Sequence, residues 1–160
     1  IWMETYIMFK VKPLVITFSL IMVIVATSVN AQDNRSQMLL ASTGALAMQG
    51  VMVTAYSIAT AADCYKKVYD DETTINLLET YIDLSKSAQD QLRTVLFSGI
   101  LSKEDEAIMG GLTFTYGTLI AEAEAFIKLI QTGNPKYGFE YEKHKDKVWE
   151  MIDKITALGE

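Results

Sequence analysis

Cysteine and histidine are almost absent from this chain of 160 residues, which has only Cys64 and His144. One cysteine cannot form a disulfide within the chain. Zinc sites built from cysteine and histidine clusters, and di-iron sites built from two Glu-x-x-His motifs, need more such residues than the chain has. The Cys-x-x-Cys-His motif for covalent haem attachment is also missing. We therefore predict no metal site and no cofactor, and interpret Cys64 as a small buried apolar side chain.

The sequence also lacks a catalytic constellation. Nucleophilic catalysis of the Ser-His-Asp or Cys-His kind needs a base that a third group orients. His144 lies in the charged segment 142–146, which predicts a solvated side chain. Gly110, Gly111 and Gly117 lack both the spacing and the lysine of a phosphate-binding loop. We predict that the protein is not an enzyme.

Three other groups of residues carry side chains that could bind a ligand. The acidic segment 70–72 lacks the alternating oxygen ligands of a calcium loop and predicts a helix-capping turn. Met48 and Met52 could ligate haem, but their spacing fits a packed helix face better. Glu79 and Asp83 share a helix face and are interpreted as a surface charge pattern.

Positive charge is scarce in the chain. From Gln32 onward there are 19 acidic and 12 basic side chains, a net charge of −7. Nucleic acids are bound mainly by clustered lysines and arginines, and anionic membrane surfaces attract the same residues. The composition therefore excludes nucleic acid as an expected partner and disfavours an anionic membrane surface.

Charge is entirely absent from residues 36–62. Two sets of small or apolar residues in and beyond this segment recur at helical spacing. The first is Met38, Ala41, Ala45, Met48, Met52, Ala55, Ala59 and Ala62; the second is Leu40, Gly44, Ala47, Val51, Thr54, Ile58, Ala61, Tyr65 and Val68. Two adjacent stripes predict a helix covered on most sides, either at the centre of a bundle or in a membrane.

The N-terminal segment has the parts of a secretory signal peptide. Lys10 and Lys12 precede a mainly apolar run at 14–26, and small residues follow up to Ala31. We predict cleavage after Ala31, a single domain over residues 32–160, and export to the periplasm or the extracellular space. Translation from Met8 would give a signal of ordinary length. The alternative is an uncleaved N-terminal anchor helix.

The remaining pattern predicts an all-α protein, an antiparallel up-down four-helix bundle following the signal peptide. The predicted helices run from about Asn34 to Tyr69, from Glu72 to Phe97, from Ser102 to the residue before Gly133, and from Phe139 to Ala157. Residues 112–120 fit a strand locally, but both flanks are helical and no partner strand is evident, so we predict a helix there.

Core positions follow from the same periodicity. For the second helix they are Leu77, Tyr81, Leu84, Ala88, Leu92 and Val95, with Leu78, Ile82 and Leu96 alongside. For the third they are Ile108, Leu112, Tyr116, Leu119, Ala123, Phe126 and Ile130. For the fourth they are Val148, Trp149, Ile152 and Ile155.

Small residues are concentrated on the first and third helices. Those of residues 44–62 could meet Gly110, Gly111 and Gly117, giving either tight internal packing or a face for self-association. The leading hypothesis is an exported, non-enzymatic binding or protein-interaction module with an unidentified protein partner or a second copy of itself. The alternatives are a small membrane-associated subunit in which residues 36–62 span the bilayer, and a small-molecule carrier that uses Tyr56, Tyr116 and the methionines around an internal apolar cavity.

Overall fold

The computed structural model describes the backbone of residues 32–158 and the side chains of residues 37–157. Four helices cover this part of the chain: α1 (Gln32–Cys64), α2 (Asp71–Leu96), α3 (Lys103–Thr132) and α4 (Pro135–Leu158). The predicted signal peptide, residues 1–31, lies outside the described residues. The chain divides after Ser42 into two compact units, and the packing below concerns the unit that begins at Thr43.

The helices form the predicted all-α bundle, and contacts between them define its up-down order. The side-chain amide of Gln89 in α2 donates a hydrogen bond to the carbonyl of Thr113 in α3. In α3 and α4, Phe126 packs on Tyr141 at one end and Gly111 lies against Ile155 at the other, so these two helices are antiparallel.

Helix α1 runs parallel to α3 and antiparallel to α4. Gly44 of α1 lies beside Met109, and Tyr65, just after α1, packs edge-on against Phe126 with ring centroids 5.6 Å apart. Tyr56 packs edge-on against Trp149 of α4 at 5.1 Å. The described residues of the bundle therefore confirm an antiparallel up-down arrangement.

The ends of α2 and α3 follow the sequence signals closely. The Asp70 carboxylate accepts a hydrogen bond from the amide of Thr73, which caps α2 and lowers the pKa of Asp70. The Ser102 hydroxyl accepts from the amide of Asp105 at the start of α3. Gly133 ends α3 with φ of 63°, a conformation that glycine adopts at low cost.

The cap of α2 gives a first testable expectation. Asp70→Ala leaves the amide of Thr73 without its acceptor, so we expect a loss of about 1 kcal/mol in the free energy of unfolding, measured by urea denaturation. Asp70→Asn keeps the capping oxygen and serves as the control, with a change of a few tenths of a kcal/mol. Equal losses for both variants would show that the cap is not formed.

Two predicted helix bounds are wrong. Helix α1 ends at Cys64 and not at Tyr69, because Lys66 adopts a left-handed φ of 60° and the amides of Val68 and Tyr69 return to the Cys64 carbonyl. Helix α4 begins at Pro135 and not at Phe139. Proline fits the first turn of a helix, where no amide partner is needed, and the Asn134 side chain accepts from the amide of Lys136.

The predicted helix through residues 112–120 is confirmed, and the α3 stripe is largely correct. Leu112, Tyr116, Leu119, Ala123 and Phe126 are all buried. On α4, the buried residues include Val148, Ile152 and Ile155, while Trp149 is half-buried.

The buried face of α2 agrees with the prediction only in part, since the predicted residues Leu78, Ile82 and Leu92 are buried and several others are not. It consists of Thr74, Leu78, Ile82, Ser85 and Leu92. Leu84, a predicted core residue, is 60% exposed. Small polar residues occupy two core positions, and the Thr74 hydroxyl is satisfied by the Asp70 carbonyl.

The prediction that α1 lies at the centre of the bundle, covered by neighbouring helices on most sides, is wrong. Its buried residues are Val51, Ala55, Ile58 and Ala61, a single stripe. Most residues of the first predicted stripe, which runs from Met38 to Ala62, are half-buried or exposed. Met52 of this stripe is 38% exposed. The opposite face of α1 carries Leu46, Val53 and Tyr56, each more than half exposed.

Candidate functional site

The exposed face of α1 is the first feature with a possible role in binding. Leu46, Gln49, Val53, Tyr56 and Thr60 are exposed and recur at alternating steps of three and four residues. This spacing places them on one stripe of the helix, the seam geometry of a coiled coil. No charged side chain interrupts this part of α1. We call these five residues the α1 seam.

The opposite face of α1 is held by α3. The Tyr116 hydroxyl donates to the carbonyl of Ala47 at 3.1 Å, and Gly50 leaves room for this hydroxyl. A Cβ at Gly50 would lie 2.3 Å from the Tyr116 oxygen. Burial of the phenol raises the pKa of Tyr116. This contact fixes which face of α1 is left outside.

A groove of about 770 Å³ lies on another side of the bundle, between α2, α3 and α4. Its floor is α3, where Gly110 and Gly117 contribute no side chain and the Phe114 ring is 55% exposed. The Gln89 amide nitrogen lies 2.8 Å from where a Cβ of Gly117 would stand and donates to the Thr113 carbonyl at 2.9 Å. The glycine therefore lets α2 and α3 approach closely at the groove.

The walls of the groove are mainly basic. Arg93 extends from the last turn of α2, and Lys143 and Lys147 extend from α4. His144 lines the same wall, and Glu150 is the one acidic residue among the described residues that line the groove. Hydrogen bonds from Lys147 and Lys154 lower the pKa of Glu150 to about 2, so this carboxylate is ionised and shared between two lysines.

A smaller groove of about 420 Å³ lies between α1, α2 and α3. Leu46 of the α1 seam lines it, together with Leu92, Val95 and Tyr116. The groove is mainly apolar and borders the exposed face of α1.

Glu122 is a buried acidic residue on α3. It is 1% exposed, and neither carboxyl oxygen has a hydrogen-bond partner among the described residues. Burial raises its pKa to about 8, although the charge of Lys145 opposes this effect. The carboxyl group is therefore mostly protonated and neutral at pH 7. Tyr141 of α4 is also buried, and burial together with the charge of Glu122 raises its pKa.

The candidate residues named from the sequence do not form one site. His144 was predicted to be solvated, but its side chain is half-buried on the wall of the groove. Met48 is half-buried and Cys64 is half-buried with a free thiol. Tyr56 is exposed while Tyr116 is buried, so they do not line a shared internal cavity. Among the described residues, no group of three histidine, cysteine or acidic residues could hold a metal ion.

The expected meeting of small residues on α1 and α3 is also corrected. Gly111 of α3 faces Ile155 of α4, and Gly117 faces Gln89 of α2. The glycines of α1 face larger side chains, Met109 and Tyr116. Small residues here accommodate large partners across each interface and do not pair with each other.

Two features were not found from the sequence, the groove and Glu122. A signal for Glu122 was present, since it stands three residues after Leu119 and four before Phe126, on the core face of α3. The groove gave no local signal because its walls come from three helices. Comparison of the chain with protein-family models, curated proteins and solved structures returns no match.

Proposed function

We propose that this protein is an exported, non-enzymatic interaction module that associates with a second copy of itself through the α1 seam. The observation that supports this most strongly is the exposure of a regular uncharged stripe on α1, with Leu46 62% and Val53 59% exposed. Export is supported by the predicted signal peptide and is part of the proposal.

The charge pattern permits a second copy as the occupant of this face. From Gln32 onward the chain carries a net charge of −7, so two copies that meet through their charged surfaces repel each other on average. The α1 seam has no charged residue, and Asp63 is the first one after it. Two identical seams can therefore meet without like-charge repulsion.

The spacing of the seam also suits pairing with an identical helix. Steps of three and four residues keep the side chains on one line when two helices cross at about 20°. From Leu46 to Thr60 the seam is about 21 Å long, equal to two heptads. Such a short seam predicts a weak dimer that forms and dissociates readily.

A charge placed in the seam tests this proposal. Val53→Lys puts two positive charges opposite each other in the dimer, and we expect the dissociation constant to rise at least about tenfold because the charges repel and lose water. Sedimentation velocity over a range of protein concentrations measures the change. The matched control is Leu84→Lys on α2, since Leu84 is 60% exposed and Val53 59%.

The control variant is expected to associate like the unmodified protein. If the unmodified protein remains a monomer at all concentrations, or if both lysine variants dissociate equally, the proposed role of the α1 seam is wrong.

The second candidate function is a small membrane-associated subunit. One described helical segment, Gln37–Cys64, is long and apolar enough to cross a membrane by length and composition alone. The contacts of α1 with Tyr116 and Trp149 favour the dimer, because a spanning α1 would have to leave both or carry the charged bundle into the membrane. A requirement for detergent during purification would favour this second candidate.

A further inference from the structure

We infer that the groove between α2, α3 and α4 binds a small amphipathic anion, a flat apolar or aromatic body that carries one acidic group. This site is separate from the α1 seam and uses none of its residues. Its volume, about 770 Å³, is within the range of small-molecule sites in proteins.

The charge of the groove selects an anion. Arg93, Lys143 and Lys147 line it, against the single carboxylate of Glu150, although the protein as a whole is acidic. Basic side chains from two helices, Arg93 on α2 and the lysines on α4, can approach one acidic group from opposite sides. A guanidinium and an ammonium together favour a carboxylate, sulfonate or phosphate.

The present partners of these cations can be exchanged for a ligand at low cost. Arg93 contacts Asp90 at 3.4 Å and Lys147 contacts Glu150 at 2.9 Å, and all four side chains are substantially exposed. Exposed ion pairs contribute little to stability. The described residues include no carboxylate in ion-pair contact with Lys143, so its ammonium is available to a ligand.

The floor of the groove selects an apolar body. The Phe114 ring is 55% exposed and lies next to the surface left open by Gly110, where an added Cβ would meet nothing within 4 Å. Aromatic rings stack on such a face, and Gly110 leaves room beside it for a flat ligand. Gln89, fixed by its bond to the Thr113 carbonyl, borders the same surface.

A fluorescent dye of this chemical class tests the inference. The probe is 1-anilinonaphthalene-8-sulfonate, an aromatic sulfonate, titrated into the purified full-length protein. We expect saturable binding that weakens about tenfold in Arg93→Gln and in Lys143→Gln, because each loses a charge-assisted contact. The matched control is Lys67→Gln, which removes an exposed lysine outside the groove and should bind the dye as the unmodified protein does.

Two further measurements separate the groove from other apolar surface. A Cβ built at Gly110 meets nothing within 4 Å, and Gly110 lines the groove, so Gly110→Leu should place its side chain in the groove and abolish dye binding. N-phenyl-1-naphthylamine, an uncharged relative of the dye, should bind at least about tenfold more weakly without the sulfonate.

The inference is overturned if the dye binds Gly110→Leu and the two charge variants as well as it binds the unmodified protein. It is also overturned if the uncharged compound binds as tightly as the sulfonate, or if no saturable binding occurs. Thermal unfolding of each variant, compared with the unmodified protein, shows whether a loss of binding reflects a loss of fold.

Discussion

Replacing Glu122 by glutamine is expected to remove most of the fall in stability between pH 5 and pH 8. The pKa of Glu122 is about 8 in the folded protein, raised from an ordinary value of 4.5 by burial. The folded state therefore holds a proton over this range that the unfolded state releases. Because the folded state binds more protons, the free energy of unfolding decreases as the pH rises.

The sign and the limits of this effect are defined by the two pKa values. Below about pH 4.5 both states are protonated, and the group causes no loss of stability. Between pH 4.5 and about 8 the loss grows by about 1.4 kcal/mol per pH unit, and above pH 8 it stays constant. The full loss is about 5 kcal/mol, a large part of the stability of a small domain.

Urea denaturation at pH 5, 6, 7 and 8 measures this slope. Glu122→Gln has nearly the same shape but cannot ionise, so its free energy of unfolding should change much less with pH than that of the unmodified protein. Glu124→Gln is the control, because Glu124 is exposed on the same helix and its replacement should leave the slope unchanged. Parallel pH profiles for the unmodified protein and Glu122→Gln would contradict the buried placement of Glu122.

Replacing Gly50 by alanine is expected to lower the free energy of unfolding by about 2 kcal/mol. The added Cβ would lie 2.3 Å from the Tyr116 hydroxyl, much closer than van der Waals contact. Tyr116 is 4% exposed and bonded to the Ala47 carbonyl, so its ring has little room to move. Overpacking of this kind typically costs 1–3 kcal/mol.

Removal of the Tyr116 hydroxyl tests whether this group causes the loss of stability in Gly50→Ala. Tyr116→Phe alone should cost about 1 kcal/mol, because the hydrogen bond to Ala47 is lost. In the Gly50→Ala background the same change should cost less or become favourable, since it relieves the clash. A double-mutant cycle measures the coupling energy.

Gly110→Ala is the control for helix propensity, since a Cβ there meets nothing within 4 Å. This variant should gain about 0.5–1 kcal/mol, because alanine costs less entropy than glycine within a helix. Equal stabilisation in Gly50→Ala would mean that α1 does not pack on Tyr116 as described.

The helices and their caps could be predicted from the sequence because the signals are local. The start of α3 is marked by Ser102, which caps the amide of Asp105. Its end is marked by Gly133, which follows Thr132. The stripe from Leu112 to Phe126 needed only the period of one helix. The predicted start of α4 at Phe139 is wrong because the helix begins at Pro135, and proline fits the first turn of a helix.

The faces of α1 and α2 could not be predicted in the same way because each helix offers two apolar stripes. In α2, the stripes through Leu77 and Leu78 are one residue apart, and Leu84 makes the first look stronger. The choice depends on which stripe of α2 fits against α3. The stripe that is buried contains two small residues of α2, Thr74 and Ser85. In α1 the missing charge predicted burial, and only the packing of the other helices leaves one face exposed.

The groove depends on positions far apart in the chain. Arg93, Phe114 and Lys143 come from three helices, and none belongs to a recognisable motif. Their common location follows from the antiparallel order of α2, α3 and α4. A basic groove in an acidic chain is therefore visible only after the helices are packed.

We propose that the protein is an exported bundle in which α1 packs in water on α3 and α4 and does not span a membrane. The most direct test is to express the chain with its own N-terminal segment, separate soluble from membrane fractions, and identify the N-terminus by mass spectrometry. We predict recovery in the soluble exported fraction, without detergent, with a chain that begins at Gln32. Recovery in membranes after washing with alkaline carbonate would contradict the claim and assign α1 or the preceding segment to the bilayer.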